Sequence, residues 1–344
     1  MPNRRDFLRW TALGSAMFSV SPLHSMPKPL PNEPKKAPLI PDRLKPGDTV
    51  AVLGLAGVVM DSKVVDEFKN TLTNLGLVSW LAPSVAYKYG YLSGTDDQRL
   101  EDLKQALLNP EVKAIMCIRG GWGSARLMEK IDWNWFIQNP KILVGFSDIT
   151  YLLNAITHRT GLVTFHGPVG NSGWGPFTTE YFKKGVFNAT LLEIELPKTP
   201  ESKRLFSKPG IAQGALVGGN LCVFTSMLGS PYFPDCKNKI LVLEEIGEEP
   251  YRIDRMLTSL RLAGVFQQIS GLILGKFTDC TPESPQQSFT LEQVLKMHFE
   301  EVSFPVLYNP RIGHTQDHCT LPLGISLELN ADLGTIRYLN PAVK

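Results

Sequence analysis

The feature that most constrains the fold is a regular alternation of apolar runs with amphipathic segments, which begins at Asp48. Runs rich in Val, Ile and Leu predict buried strands, and segments with apolar residues three and four apart predict helices. Strands and helices in alternation are typical of a doubly wound, largely parallel α/β sheet. The predicted strands are 49–54, 77–81, 112–118, 141–146 and 162–165, and the predicted helices are 61–75, the segment after Thr95, the segment around Ala125 to Ile131, and 148–158.

The second half of the chain has a different pattern. Glycine, proline and polar residues dominate 171–213, which predicts an interdomain segment with one helix near 178–187. From Gly214 onward short strands predominate, so we expect a smaller α+β domain over 214–344 after a doubly wound domain over 44–170. The elements expected in this second domain are a turn at 218–220 leading into a helix, a helix at 252–262, and strands at 239–243, 269–277, 306–308, 325–329 and 335–338.

The amino terminus has the pattern of an export signal. Arg4 and Arg5 precede a short, moderately apolar core, which predicts a twin-arginine signal over 1–25. Prolines then recur through 26–43, and because proline fixes the backbone and lacks a donor, they predict an extended tether. We therefore expect an exported or periplasmic protein, with the signal either cleaved or kept as an anchor.

Charge and cysteine content narrow the function classes. The chain has 35 Lys and Arg against 33 Asp and Glu, and removal of 1–25 leaves 32 of each. A neutral body lacks the basic footprint of a nucleic-acid binder. Five cysteines without a CxxC pair argue against a zinc ribbon or a disulfide scaffold. No apolar run reaches the roughly 18 residues that a membrane helix needs.

Two tight turns follow predicted strands of the first domain. In Gly145-Phe-Ser-Asp, Ser147 lies where a strand meets a helix, as in a nucleophile elbow, although Ile149 replaces the last glycine of the G-x-S-x-G pattern. From these residues alone, capping of the helix by Ser147 or Asp148 is the favoured alternative. The Arg119-Gly-Gly-Trp-Gly loop suits an oxyanion or carboxylate pocket and a plain tight turn equally well.

Candidate acid–base residues lie in the second half. Glu244 and Glu245 end a predicted strand, but four glutamates within six residues favour a solvated loop. His314 after Gly313 is a candidate base or a structural histidine. His314 and His318 are four residues apart, yet a metal site would need a third ligand.

Several short motifs together resemble one family. In chain order the motifs are Arg119-Gly-Gly-Trp-Gly, Gly145-Phe-Ser-Asp, Phe165-His-Gly-Pro, Gly218-Gly-Asn, Leu243-Glu-Glu, Phe277-Thr-Asp-Cys and Gly313-His. With these spacings, from about Gly47 to Tyr338, the chain resembles the LD-carboxypeptidases. These serine peptidases are the muramoyl-tetrapeptide carboxypeptidases and include the microcin C immunity proteins. The resemblance implies a flavodoxin-like domain followed by a smaller carboxyl-terminal domain, with the active site between them.

The resemblance also implies roles for individual residues. Ser147 would be the nucleophile, with Glu244 and His314 completing the triad, and no metal or cofactor would take part. The oxyanion would then be stabilised by the backbone N–H groups of Asp148 and of the Gly120-Gly121 turn. Beside that turn, Arg119 is a candidate reader of the substrate carboxylate.

The expected function is release of terminal D-Ala from muropeptide tetrapeptides in peptidoglycan turnover, through an acyl-enzyme. The alternatives are hydrolysis of peptide–nucleotide antibiotics, as in the immunity branch, and non-catalytic muropeptide binding on the same scaffold. A metal hydrolase using His314 and His318 is a further alternative. By family analogy we expect a homodimer, and no membrane span other than an uncleaved signal.

Overall fold

The computed structural model describes residues 37–195 and 206–344. The predicted export signal over 1–25 lies outside the described residues, as does most of the predicted tether. No helix in the described ranges is long and apolar enough to cross a membrane.

The strands of the first sheet are β1 (Thr49–Leu53), β2 (Val78–Leu81), β3 (Val112–Cys117), β4 (Ile142–Gly145), β5 (Thr164–His166) and β11 (Leu321–Leu323). Their order across the sheet is β2-β1-β3-β4-β5-β11. The first five run parallel, and β11 pairs antiparallel with β5 at one edge. The order 2-1-3-4-5 is that of flavodoxin-like sheets, so the expected doubly wound architecture is confirmed.

Helices connect these strands where the apolar spacing predicts them, except at 134–138, where no helix was predicted. They are α1 (Lys63–Asn74), α2 (Asp96–Leu108), α3 (Asn134–Gln138), α4 (Thr150–Thr160) and, after β5, α5 (Pro176–Val186). Thr95 caps α2 through a capping box with Gln98, as a threonine at this position predicts. The helix predicted around Ala125 to Ile131 is present as a 3₁₀-helix, Ser124–Lys130. The Arg126 N–H donates to the Gly123 carbonyl, an i to i+3 bond that tightens this segment.

The second sheet combines parallel and antiparallel strands. They are β6 (Glu193–Glu195), β7 (Ile211–Asn220), β8 (Ile240–Ile246), β9 (Gly271–Thr278), β10 (Val306–Tyr308), β12 (Ser326–Asn330) and β13 (Thr335–Tyr338). Their order across the sheet is β10-β9-β8-β7-β12-β13-β6. The strands from β7 to β10 are parallel, and the other three are antiparallel. Three helices follow strands of this half: α6 (Leu221–Ser226), α7 (Pro250–Leu262) and α8 (Leu291–Phe299). The expected α+β character of the carboxyl-terminal half is confirmed.

The predicted turn at 218–220 is wrong. Gly218 and Gly219 belong to β7 and pair with Val242 and Leu243 of β8. A Cβ on Gly218 would lie 2.1 Å from the Val242 carbonyl oxygen, so glycine is required by close backbone approach within the sheet. Strand β11 was not predicted, because the proline at 322 indicates a loop. The strand occupies the edge of the first sheet, where proline is tolerated.

Buried side chains of α4 join the two sheets. Asn154 of α4 donates from Nδ2 to the Gly218 carbonyl at 2.8 Å, and its Oδ1 accepts from the Gly218 N–H at 2.9 Å. Nearby, the Asn220 N–H donates to Thr150 Oγ1 at 3.0 Å. Because α4 follows β4 and Asn220 lies beside Glu244 in the register of β7 and β8, these contacts bring the carboxyl ends of β4 and β8 together.

Candidate active site

Ser147 lies on a strained turn at the carboxyl end of β4. Its backbone is left-handed, with φ of 61°, a conformation that costs roughly 1–2 kcal/mol for a residue with a Cβ. A Cβ on Gly145 would lie 2.6 Å from the Ile149 side chain, so Ile149 packs directly over this glycine. Within the described residues, no N–H of the helix that follows, Thr150–Thr160, donates to the Ser147 or Asp148 side chain, so the interpretation that either residue caps this helix is wrong. The turn has the form of a nucleophile elbow.

The glycine loop predicted from the sequence lies against this serine. A Cβ on Gly120 would lie 2.7 Å from Ser147 Cβ and 2.9 Å from its Oγ. The same position is 3.3 Å from the Asp148 backbone nitrogen, which belongs to the first turn of the helical segment. The first N–H groups of a helix have no intrahelical acceptor, so they are free to face an anion. The loop and the elbow are therefore in direct contact next to the Ser147 hydroxyl.

The Asp148 side chain joins the elbow to the glycine loop. Its carboxylate accepts from the Ser124 N–H at 2.8 Å, while Ser124 Oγ donates to the Asp148 carbonyl at 2.7 Å. Burial raises the pKa of the Asp148 carboxyl, and these hydrogen bonds act in the opposite direction. The Asp148 carboxylate thus serves as a structural tie, and its backbone N–H remains the candidate oxyanion donor.

Arg99 is a supporting residue to which the sequence interpretation gave no role. Its fully buried guanidinium donates from Nη1 to the Leu55 carbonyl at 2.6 Å and to the Gly123 carbonyl at 3.0 Å. Its Nη2 donates to Asp96 at 2.7 Å. Arg99 therefore holds the end of the glycine loop against the segment after β1. The signal for it was present, because an arginine on the apolar side of α2 needs buried acceptors.

Glu244 and His314 form a direct pair at the carboxyl end of β8. His314 Nδ1 lies 2.7 Å from Glu244 Oε2, and the His314 backbone N–H donates to the same oxygen at 3.2 Å. Glu244 is completely buried, so the expected solvated loop is wrong at this position. Gly313 has φ of 98°, and a Cβ there would lie 2.4 Å from Glu244 Oε2. Glycine before the histidine is therefore what lets the backbone reach the carboxylate.

Glu245 is also buried, but its role differs. Its carboxylate accepts from Asn220 Nδ2 and from the Cys222 N–H, both at 2.8 Å, at the beginning of α6. Burial raises the pKa of Glu245 to about 7. Of the two adjacent glutamates, Glu244 contacts the histidine and Glu245 holds the start of a helix.

The ring of Phe146 connects the elbow with His314. Its centroid is 4.8 Å from that of His314, 4.6 Å from that of His318 and 6.0 Å from that of His166. His166 and His318 are buried, and in the described structure their ring nitrogens have no hydrogen-bond partner. Burial lowers the pKa of His166 to about 4 and that of His318 well below its usual value, so both rings pack as neutral groups. Within 37–195 and 206–344, no group of three or more His, Cys, Asp or Glu is arranged to hold a metal ion.

Arg119 lines a cavity next to the glycine loop. Its Nη1 donates to the Val58 carbonyl at 2.8 Å, and no carboxylate among the described residues forms an ion pair with it. The cavity has a volume of about 490 Å³ and is lined by Gly57, Val58, Tyr91, Arg119, Gly121 and Trp122. The fold thus places an unpaired guanidinium one residue from Gly120, which contacts Ser147.

The predicted site residues fall into two groups. Ser147 and Asp148 meet the loop at 119–121, and Glu244 pairs with His314. Phe146, adjacent to Ser147, contacts the His314 ring and bridges the groups. The chain order of serine, glutamate and histidine is compatible with a triad, because triads are defined by geometry.

The two halves of the chain each match a known family model. The family models of the LD-carboxypeptidase N-terminal and C-terminal domains match residues 50–167 and 213–329. A probable murein peptide carboxypeptidase of Bacillus subtilis is 39% identical over 291 residues, which is 84% of this chain and 91% of that protein.

Two solved structures have the same fold. MccF, in a complex with glutamyl sulfamoyl guanosine, matches with a TM-score of 0.82 at 26% identity, over 89% of this chain and 100% of that one. The muramoyltetrapeptide carboxypeptidase of Oxalobacter formigenes matches with a TM-score of 0.74 at 27% identity, over 84% and 97%. From its domain matches, its relatives and its fold, the chain belongs to the LD-carboxypeptidase family.

Proposed function

We propose that this protein is a serine LD-carboxypeptidase that releases terminal D-Ala from muropeptide tetrapeptides in peptidoglycan turnover. The observation that carries the proposal is the buried Glu244–His314 pair, 2.7 Å between Oε2 and Nδ1, beside the strained elbow of Ser147. The names of the relatives, which include murein peptide and murein tetrapeptide carboxypeptidases, support this substrate class.

The proposed chemistry is an acyl-enzyme mechanism. With Nδ1–H donating to Glu244, the neutral His314 ring has its other nitrogen, Nε2, free to accept the Ser147 proton. Ser147 Oγ attacks the carbonyl carbon of the scissile amide, and the N–H groups of Asp148 and the glycine loop stabilise the oxyanion. His314 then protonates the leaving amine of D-Ala, and a water molecule hydrolyses the ester. Glu244 offsets the charge of the imidazolium throughout.

Arg119 is proposed to bind the terminal carboxylate of the substrate. An exopeptidase must recognise a free carboxylate, and a guanidinium without an ion pair in the described structure supplies the matching charge. We expect Arg119→Ala to raise KM for the tetrapeptide at least tenfold. An unchanged KM would show that another group reads the carboxylate.

Location and assembly are part of the proposal. The pattern of Arg4 and Arg5 supports twin-arginine export to the periplasm, and family analogy supports a homodimer. Fractionation of cells that express the full chain, with and without Arg4→Lys and Arg5→Lys, tests the first point. Analytical ultracentrifugation tests the second.

The second candidate function is hydrolysis of peptide–nucleotide antibiotics, favoured by the TM-score of 0.82 with MccF. We expect purified protein to release D-Ala from muramoyl-tetrapeptide, and Ser147→Ala to abolish release while still binding the ligand. An aminoacyl sulfamoyl adenosine assayed in parallel distinguishes the candidates, since clear preference for it would favour antibiotic hydrolysis. Equal release by wild type and Ser147→Ala would contradict the serine mechanism, and ligand binding without any release would indicate a binding protein.

A further inference from the structure

Two aromatic rings stand exposed at the cavity beside Arg119. Trp122 is 52% exposed and Tyr91 is 64% exposed, and their rings meet edge to face with centroids 5.3 Å apart. Large aromatic side chains dominate contact energies when they are covered, so an exposed pair at a cavity is well suited to an apolar ligand group. The proposed D-Ala product does not explain this pair, because its side chain is a single methyl group.

The cavity wall is fixed by backbone contacts around Val58. The Val58 N–H donates to the Tyr91 carbonyl at 3.0 Å, and its carbonyl accepts from Arg119. The adjacent Gly57 N–H donates to the Gly120 carbonyl at 3.0 Å. These hydrogen bonds therefore hold the Tyr91 segment, the Arg119 guanidinium and the glycine loop in one arrangement. The cavity exists before any ligand binds.

The cavity is much larger than a methyl group requires. Its volume of about 490 Å³ falls within the range of pockets that hold whole small molecules, roughly 300–1,000 Å³. Arg119 is the one ionisable group among its lining residues apart from the Tyr91 hydroxyl. The nearby Arg126 is already paired with both carboxylate oxygens of Asp96, at 2.8 Å each. The lining therefore favours a carboxylate attached to an apolar side chain, and it disfavours a cationic one.

We propose that this cavity binds the carboxyl-terminal residue of the substrate and accepts bulky apolar or aromatic D-amino acids as well as D-Ala. The inference rests on the proposed function, because it places the terminal carboxylate on Arg119. With the carboxylate there, the terminal side chain lies against the exposed surface of the Trp122 and Tyr91 rings that lines the cavity. These two residues then determine which terminal residues are released.

The test uses muramoyl-tetrapeptides that differ only in the terminal residue: D-Ala, D-Met, D-Phe or D-Lys. We expect the wild-type protein to release D-Met and D-Phe with kcat/KM within about tenfold of D-Ala, and to release D-Lys least efficiently. Trp122→Ala should lower the ratio of kcat/KM for D-Phe to that for D-Ala at least tenfold, an effect typical of lost apolar contact. Trp122→Phe should restore most of that ratio. Phe289→Ala, which removes an aromatic ring 57% exposed elsewhere on the surface, is the matched control.

The outcomes separate this inference from the proposed function. Release of D-Ala together with rejection of D-Met and D-Phe would overturn the inference and leave the function intact. An equal loss for all four substrates in Trp122→Ala would assign the rings to another part of the ligand, such as the sugar, and would also overturn it. If no terminal residue is released at all, the proposed function fails. In that case, calorimetry with Ser147→Ala tests the inference through binding alone. It would be overturned as well if tetrapeptides ending in D-Phe bind no tighter than tetrapeptides ending in D-Ala.

Discussion

At the scale of single residues, the candidate site depends on positions where an added atom would collide. The Glu244–His314 contact exists because Gly313 leaves room for Glu244 Oε2, and the glycine loop reaches Ser147 because Gly120 has no side chain. Ser147 itself adopts a left-handed backbone that only its surroundings can maintain. Backbone strain and missing Cβ atoms therefore bring the candidate nucleophile against the glycine loop and the candidate base against its carboxylate.

Glu244→Gln tests the proposed role of the buried carboxylate. The change keeps the shape of the side chain but removes the charge that would stabilise the His314 imidazolium. By analogy with other triads, we expect kcat to fall by about 10²–10⁴-fold. Because Glu244 Oε1 is buried without a partner in the described structure, loss of its charge should not lower the melting temperature. Steady-state kinetics and thermal unfolding measure the two effects, and a fall in kcat below tenfold would contradict the role.

At the scale of secondary-structure elements, the order of strands and helices in the first sheet follows from local pattern. Apolar runs predict β1, β3 and β4, and Thr95 predicts the beginning of α2. Prediction from local pattern failed where glycine is found both in turns and inside strands. Gly218 lies inside β7, although glycine pairs equally suggest turns.

In the candidate site too, local pattern predicts some features, and others depend on the tertiary fold. The sequence pattern suggested the turn at Ser147, but its strain and its contact with Gly120 depend on another strand. Four nearby glutamates predicted a solvated loop, yet Glu244 is buried because its partner lies 70 positions further along the chain. Without the family resemblance, no local feature distinguishes Glu244 from Glu245. Pairings over such separations come from the tertiary fold, which a pattern within one segment does not contain.

Asn154→Ala tests the junction between α4 and β7. The substitution removes both hydrogen bonds to Gly218 and leaves a buried N–H and a buried carbonyl without a partner. We expect a loss of about 2–5 kcal/mol in the free energy of unfolding, since each unsatisfied buried group costs about 1–3 kcal/mol. Denaturant titration measures the loss, with Asn188→Ala at an exposed position as the control. A loss no larger than that of the control would show that Asn154 does not join the sheets.

At the scale of the whole molecule, the candidate site is assembled from both halves of the chain. Ser147 comes from the first sheet, whereas Glu244 and His314 come from the second half, and Phe146 bridges them. The buried His166 and His318 rings pack at this junction as neutral groups. Activity and stability should therefore both depend on how the two sheets dock.

Stability should fall in acid because of these neutral histidines. The folded-state pKa of His166 is lowered to about 4, below its ordinary value of 6.5, so its contribution is present above pH 6.5 and is lost as the pH falls toward 4. Glu245, with its pKa raised to about 7, has the opposite dependence in the same range. His166→Asn isolates the histidine, since Glu245 is unchanged. As the pH falls from 6 to 4.5, the free energy of unfolding of the wild-type protein should decrease by about 1.4 kcal/mol more per pH unit than that of the variant. Equal slopes between pH 6 and 4.5 would contradict this prediction.

The proposed mechanism requires that the substrate acylates Ser147. Rapid-quench mass spectrometry of the protein mixed with muramoyl-tetrapeptide detects such an adduct. We expect a transient mass gain equal to the substrate minus alanine, located on the peptide that contains Ser147 and absent in Ser147→Ala. Release of D-Ala at the wild-type rate by Ser147→Ala, with no adduct on that peptide, would contradict it.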